Sequence, residues 1–172
     1  MSNPLFVVIN LTRFYNMNGT FRPPAQIPDT RQSWTSPGFG PAPNSGIHHR
    51  VGTIQTSYES RVDHIGAVWR RIRTNSVWFI ATARPDPTER RVWLLPVTNI
   101  QPRVRRTVRQ AINVRRGPGT AYPIVRSISP GTHVTPTHRC TPASSLGIST
   151  LAGAWVRIGS REWIHESTAN FA

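Results

Sequence analysis

Between residues 112 and 165, apolar and polar positions alternate in runs of four or five, and each run stops at a glycine or a proline. "INVRR" is followed by "GPGT", "YPIVRSIS" by "PGTHVTP", and "AWVRIGS" by "REWIHES". Period-two alternation bounded by such breakers predicts short half-buried strands. Glycine supplies the positive φ that tight turns need, and proline pre-sets the preceding corner. The pattern predicts a strand, a tight turn, a second strand, a turn leading to a third, and a hairpin about Gly159-Ser160. Five short strands so interrupted predict a small, strongly bent barrel.

The first 44 residues read differently. They carry seven of the sixteen prolines, including Pro23-Pro24, Pro41 and Pro43. Proline removes a backbone donor and clashes inside a helix, so this block is expected as an extended, partly polyproline arm. Its head, "PLFVVINLTRFY", is apolar and β-branched, with Leu5, Phe6, Val7, Val8 and Ile9 forming one strand. A strand without a nearby hairpin partner either adds to the sheet of another subunit or packs on its own domain. The stretch Thr53–Ile65, free of proline and glycine, also has strand and turn chemistry. The fold class predicted is all-β.

Charge changes the picture from fold to partners. All 21 basic residues are arginine, against seven acidic ones, for a net charge of +14. A GC-rich genome accounts for the absence of lysine but not for the scarcity of Asp and Glu. Such an excess attracts a polyanion: nucleic acid, an acidic wall polymer, anionic lipid or an acidic protein surface. Arg103, Arg105, Arg106 and Arg109 occupy a connector, and Arg70, Arg71 and Arg73 form a second cluster. Their planar forks suit phosphate or carboxylate in bidentate pairs.

Catalytic chemistry is poorly supplied. The seven carboxylates (Asp29, Glu59, Asp63, Asp86, Glu89, Glu162 and Glu166) show no pairing suited to acid–base work. His48-His49 point to opposite faces of an extended chain, and Cys140 is alone. No catalytic residue, metal site or cofactor is expected. No run approaches the length of a membrane span, and the N-terminus lacks the pattern of a signal peptide.

The C-terminal sixty-odd residues resemble the bacterial SH3-like (Src-homology-3-type) domain family. "INVRRGPGTAYPIVRSISPGTHVTP" followed by "AWVRIGSREWIHESTAN" is similar to its opening signature and its tryptophan hairpin. Asn113, Val114, Arg115, Gly117, Pro118, Gly119 and Tyr122 match it, as do Gly131, Thr132, Val134, Trp155 and Trp163. Glu162 replaces the family's glycine, and "TPASSLGIST" lengthens one loop. The resemblance implies a barrel over 110–172 with a turn signature at Asn113, Arg115, Gly117, Pro118 and Gly119. In the family, exposed aromatics form a peptide or glycan groove. That role falls here on Tyr122 and then Trp155, with Trp93 and Trp163 in the core.

A degenerate second copy is expected over 45–101, joined by the arginine-rich connector 102–109. In the preferred register Val51–Ile54 answers Val125–Ile128, Trp78 answers Trp155 and Trp93 answers Trp163. A second register sets "AVWRRIRTNSVWF" against the C-terminal hairpin. The expected architecture is two SH3-like barrels in tandem behind the proline-rich arm. The expected function is that of a non-catalytic accessory or assembly subunit of a larger complex such as a virion, filament or membrane-associated assembly. A wall or surface-polymer binder and an arginine-driven nucleic-acid binder are the alternatives.

Overall fold

The computed structural model describes residues 3–14, 30–34, 44–63, 66–73, 76, 78–80, 89–143 and 146–172. The Pro23-Pro24 block and the Pro41–Pro43 segment of the expected arm lie outside the described residues, as does most of the "RPDPTE" tip. Apart from one short helix, the regular elements among the described residues are antiparallel strands, and the protein is all-β. The chain divides into two compact units, 1–96 and 97–172.

The first unit contains β1 (Leu5–Phe14), β2 (Thr30–Trp34), β3 (Asn44–Arg50), β4 (Ile54–Val62), β5 (Val68–Ile72) and β6 (Trp78–Ile80). Most of β7 (Glu89–Asn99) also belongs to it before that strand runs into the second unit. The strand order is β1-β4-β5-β6-β2-β3. Residues 5–14 and 30–34, from the segment read as an arm, are thus paired strands of this unit. Phe6, Val8, Ala67, Trp69, Ile72, Trp78, Phe79 and Leu94 make its core. Asp63 fixes the β4–β5 corner: its carboxylate accepts from the Ala67 amide at 3.0 Å and from Trp69 Nε1 at 2.8 Å.

The second unit contains β8 (Arg106–Thr107), β9 (Ile112–Arg115), β10 (Ile124–Ile128), β11 (His133–Val134), β12 (His138–Cys140), β13 (Trp155–Gly159) and β14 (Glu162–His165). A one-turn helix, α1 (Glu166–Ala169), follows. The order is β12-β13-β14-β9-β10, and β8 pairs with β11 in a ladder of its own. β9, β10, β13, β14 and the Gly159-Ser160 hairpin fall where the alternation places them, whereas β8 lies in the segment read as a connector and β11 in one read as a turn. Val108, Ile112, Val114, Ile128, Val156, Ile164 and Ala169 form the core. The one-turn helix forms because the His165 side chain caps it, accepting from the Thr168 amide, and Asn170 ends it at φ 45°.

The two units follow one strand plan. In each, a hairpin (β2–β3, β9–β10) lends its first strand to the last strand of a meander (β4–β5–β6, β12–β13–β14). Trp34 pairs with Trp78 as Arg115 pairs with Trp163. Within the meander, Trp69 faces Ile80 and Arg71 faces Trp78, as Trp155 faces His165 and Arg157 faces Trp163. The turn before the fourth strand of each unit is also shared. Val8 donates to Thr53 O and accepts from the Gly52 amide, both at 2.9 Å; Val108 donates to Thr132 O at 2.8 Å and accepts from Gly131 at 2.7 Å. Gly52 (φ 88°) matches Gly131 (φ 85°), and Ser76 (φ 53°) matches Arg161 (φ 55°).

These pairings follow the second of the two sequence registers. Trp69 takes the place of Trp155, and Trp78 that of Trp163. The preferred register required Trp78 and Trp93 to share a hairpin, but β6 has both edges taken, by β5 and β2. Trp93 lies on β7. Val51-Gly52-Thr53 answers Pro130-Gly131-Thr132 rather than residues 125–128, because Gly52 carries the left-handed turn.

The Gly117-Pro118-Gly119 turn exists because nothing larger fits. A Cβ at Gly117 would lie 2.9 Å from the Tyr122 ring, and one at Gly119 only 2.3 Å from Ile148 O. Arg115 Nη1 donates to Thr120 O and to Tyr122 O, both at 2.8 Å, and so straps the turn shut. Gly131 differs: a Cβ there meets nothing within 4 Å, and only its φ of +85° resists substitution. Urea unfolding should separate the two cases. Gly119→Ala is expected to cost about 3 kcal/mol through collision with backbone, and Gly131→Ala about 1 kcal/mol through backbone strain alone.

Candidate functional site

The strand expected to reach for a partner is occupied. Leu5, Phe6 and Val7 pair with Thr56, Gln55 and Ile54 of β4. Phe6, Val7, Val8 and Ile9 are buried. Of the two readings of this strand, the pairing realised is with its own unit.

The aromatic groove is also not where the resemblance puts it. Tyr122 is 1% exposed, wedged against Gly117 and Gly119. Its hydroxyl is buried without a hydrogen-bond partner, and burial pushes its ionisation far above the ordinary tyrosine range. Tyr122 is a core residue: the ring fills the space that the two glycines leave. Trp155 is likewise 1% exposed and Trp163 fully buried. Trp155 does border a hollow of about 140 Å³, with Asn113, Arg115, Thr120, Leu151 and His165. The polar groups there are spent internally. Asn113 accepts from Ser127 Oγ at 2.8 Å, and Thr120 meets Thr150 at 3.1 Å. His165 Nε2 donates to Ala152 O, while its Nδ1 accepts from Thr168.

The arginines divide into committed and uncommitted groups. Arg71 sits 3.3 Å from Glu59 Oε2, donates through Nε to Ser76 O at 3.1 Å, and lies over the rings of Tyr58 and Trp78. Arg70 lies over the Phe6 ring. Arg70 and Arg71 therefore serve the first unit's own packing, while Arg73 is exposed. In the second unit Arg103, Arg105, Arg106 and Arg109 are all exposed. That unit has ten arginines and only two carboxylate side chains, Glu162 and Glu166. Both are taken. Arg126 grips Glu162 in a two-point pair at 3.1 Å, holding its carboxyl below the usual range, and Arg139 grips Glu166.

One constellation has no counterpart in the sequence reading. His138 and Arg157 are cross-strand partners on β12 and β13, which puts both side chains on one face. His138 is 8% exposed, and its Nδ1 lies 3.0 Å from Thr137 Oγ1. Burial, then Arg157, then Arg103 push the imidazole below its ordinary range. Burial and then Arg103 also lower Arg157. Arg157 Nε is buried with no acceptor. Spacing could not reveal this cluster, because His138 and Arg157 meet only through a strand pairing. The one available signal was a cation at each of two facing positions.

Cys140 is buried, and burial raises its thiol to about 12, so it is not a nucleophile at neutral pH. Among the described residues no group of three His, Cys, Asp or Glu is placed to hold a metal ion, and no helix is long and apolar enough to cross a membrane. Compared with protein-family models, with curated proteins and with solved structures, the chain matches none of them.

Two measurements check this geometry. Tyr122→Phe removes an unpaired buried hydroxyl and is expected to leave the fold as stable or raise it by about 1 kcal/mol in urea unfolding. A groove residue would instead show a loss of binding with unchanged stability. For His138 the depressed folded-state value means that the unfolded chain takes up a proton first. The stability tied to its neutral form is present above about pH 6.5 and is lost as pH falls below it toward the lowered value. Between pH 7 and 5 the thermal midpoint of the His138→Gln protein should fall less steeply than that of the unaltered chain.

Proposed function

We propose that this chain is a non-catalytic binding subunit made of two SH3-like units, which anchors an acidic protein partner within a larger assembly through its arginines. The observation that carries the reading is the charge account of the second unit. Its two carboxylate side chains are bound to Arg126 and Arg139, while Arg103, Arg105, Arg106 and Arg109 face solvent. Repulsion among exposed like charges disfavours the compact state, and a partner of opposite sign relieves it. The shared strand plan and the Gly-Pro-Gly turn strapped by Arg115 favour the SH3-like reading. The burial of Tyr122 and the closed hydrogen bonding around Trp155 speak against a glycan groove.

Fluorescence anisotropy with labelled poly-glutamate and with a labelled single-stranded oligonucleotide tests the proposal. Poly-glutamate should bind the unaltered chain, weaken steeply as salt rises, and lose about tenfold or more in affinity in the R105Q/R106Q/R109Q variant. Failure of poly-glutamate to bind at low salt would overturn the reading. Tighter binding of the oligonucleotide would replace it with the nucleic-acid alternative.

A further inference from the structure

The shared strand plan allows one unit to be read against the other. Glu59 faces Arg71 across β4 and β5 at the place where His138 faces Arg157 across β12 and β13. In the first unit the guanidinium is satisfied on two sides: Nη1 by the Glu59 carboxylate and Nε by Ser76 O. In the second unit the carboxylate is replaced by an imidazole. Arg157 Nε is buried without an acceptor. An unsatisfied donor of this kind is costly, and more so on a charged group. Arg103 adds a second guanidinium from the exposed segment 102–109. No carboxylate side chain of the unit is available to answer the two, since Glu162 and Glu166 are held elsewhere.

We propose that His138, Arg157 and Arg103 form a receptor for one carboxylate of an acidic partner peptide, the place that Glu59 fills from within the chain in the first unit. The proposal rests on the reading of the chain as a binder of an acidic protein and names where one acidic side chain is held. A carboxylate is favoured because that is the group the same position carries in the first unit. It accepts from the Arg157 guanidinium, as Glu59 does from Arg71 Nη1 in the first unit, and from Arg103. The connector arginines attract the partner from a distance; this cluster gives one of its side chains a fixed seat.

The deciding substitution is His138→Glu, which installs the first unit's arrangement and closes the receptor from inside. Labelled hexaglutamate is the probe, read by anisotropy, with Arg157→Gln as a second variant and circular dichroism as the check on folding. Both substitutions are expected to weaken hexaglutamate about tenfold, and His138→Glu to raise the thermal midpoint. In the unaltered chain, the Arg157 guanidinium resonances are expected to shift as hexaglutamate is added, a readout that holds even if a variant does not fold. The proposal is overturned if folded His138→Glu binds hexaglutamate as tightly as the unaltered chain, or if those resonances stay put at saturation. An equal loss of oligonucleotide affinity in His138→Glu would also overturn it, because the cluster would then be reading charge rather than carboxylate. If hexaglutamate binding responds to the R105Q/R106Q/R109Q change but not to His138→Glu, the receptor falls and the broader reading of function stands.

Discussion

In both units the architecture hangs on one clasp. A valine near the start of the unit gives its N–H to a threonine carbonyl and takes an N–H from the glycine before that threonine. The glycine must hold φ near +85° for its N–H and the next carbonyl to face the same valine, a conformation that costs a side-chain-bearing residue about 1–2 kcal/mol. Once the clasp is made, the following strand leaves the turn beside the leading strand. Val7 then meets Ile54, and Thr107 meets His133. The meander inherits that alignment, and its two tryptophans reach the core. A small unit has little apolar surface to spare, so a backbone constraint that aligns three strands matters more here than it would in a large domain.

The sequence made the second unit legible because its breakers are local. Gly117-Pro118-Gly119, Pro130-Gly131 and Gly159-Ser160 each close a turn between neighbouring strands, and period-two alternation fills the intervals. The first unit was harder to read. The composition of residues 1–44 masked β2, and β1, though legible as a strand at Leu5–Ile9, gave no sign that β4 was its partner. The two registers considered for the repeat differed in which tryptophan pair made the hairpin. The alignment of the preceding Val-x-x-Ile strand and of the polar tails favoured Trp78 with Trp93, yet only Trp69 with Trp78 leaves β6 free to pair on both sides. Sequence also carries a trace of the correct answer: Pro37-Gly38 stands as far beyond Trp34 as Pro118-Gly119 does beyond Arg115.

Site residues were less legible than fold because burial is a property of packing. Tyr122 belongs to a motif whose aromatics are read as groove residues, but a ring that fills the space over two glycines cannot also be offered to a ligand. Arg71 belongs to a basic run, but a carboxylate, a carbonyl and two aromatic faces surround it. The arginines of segment 102–109 are exposed, although that segment is no mere connector: it contributes β8 and the buried Val108 to the second unit.

The two units differ in charge more than in geometry. Positions that set backbone conformation match closely: the clasp, the positive-φ residues before β6 and β14, and the tryptophan-bearing hairpins. The position facing the guanidinium does not match: it holds Glu59 in the first unit and His138 in the second. Burial and the two guanidinium groups hold the His138 imidazole in its neutral form at neutral pH, so it offers Arg157 no opposite charge. Had the position no use beyond the fold, a carboxylate would serve stability better, as it does in the first unit. An imidazole in that setting is most simply understood as a group that leaves Arg157 open to an acceptor from outside. The first unit closes on itself at this point, and the second does not.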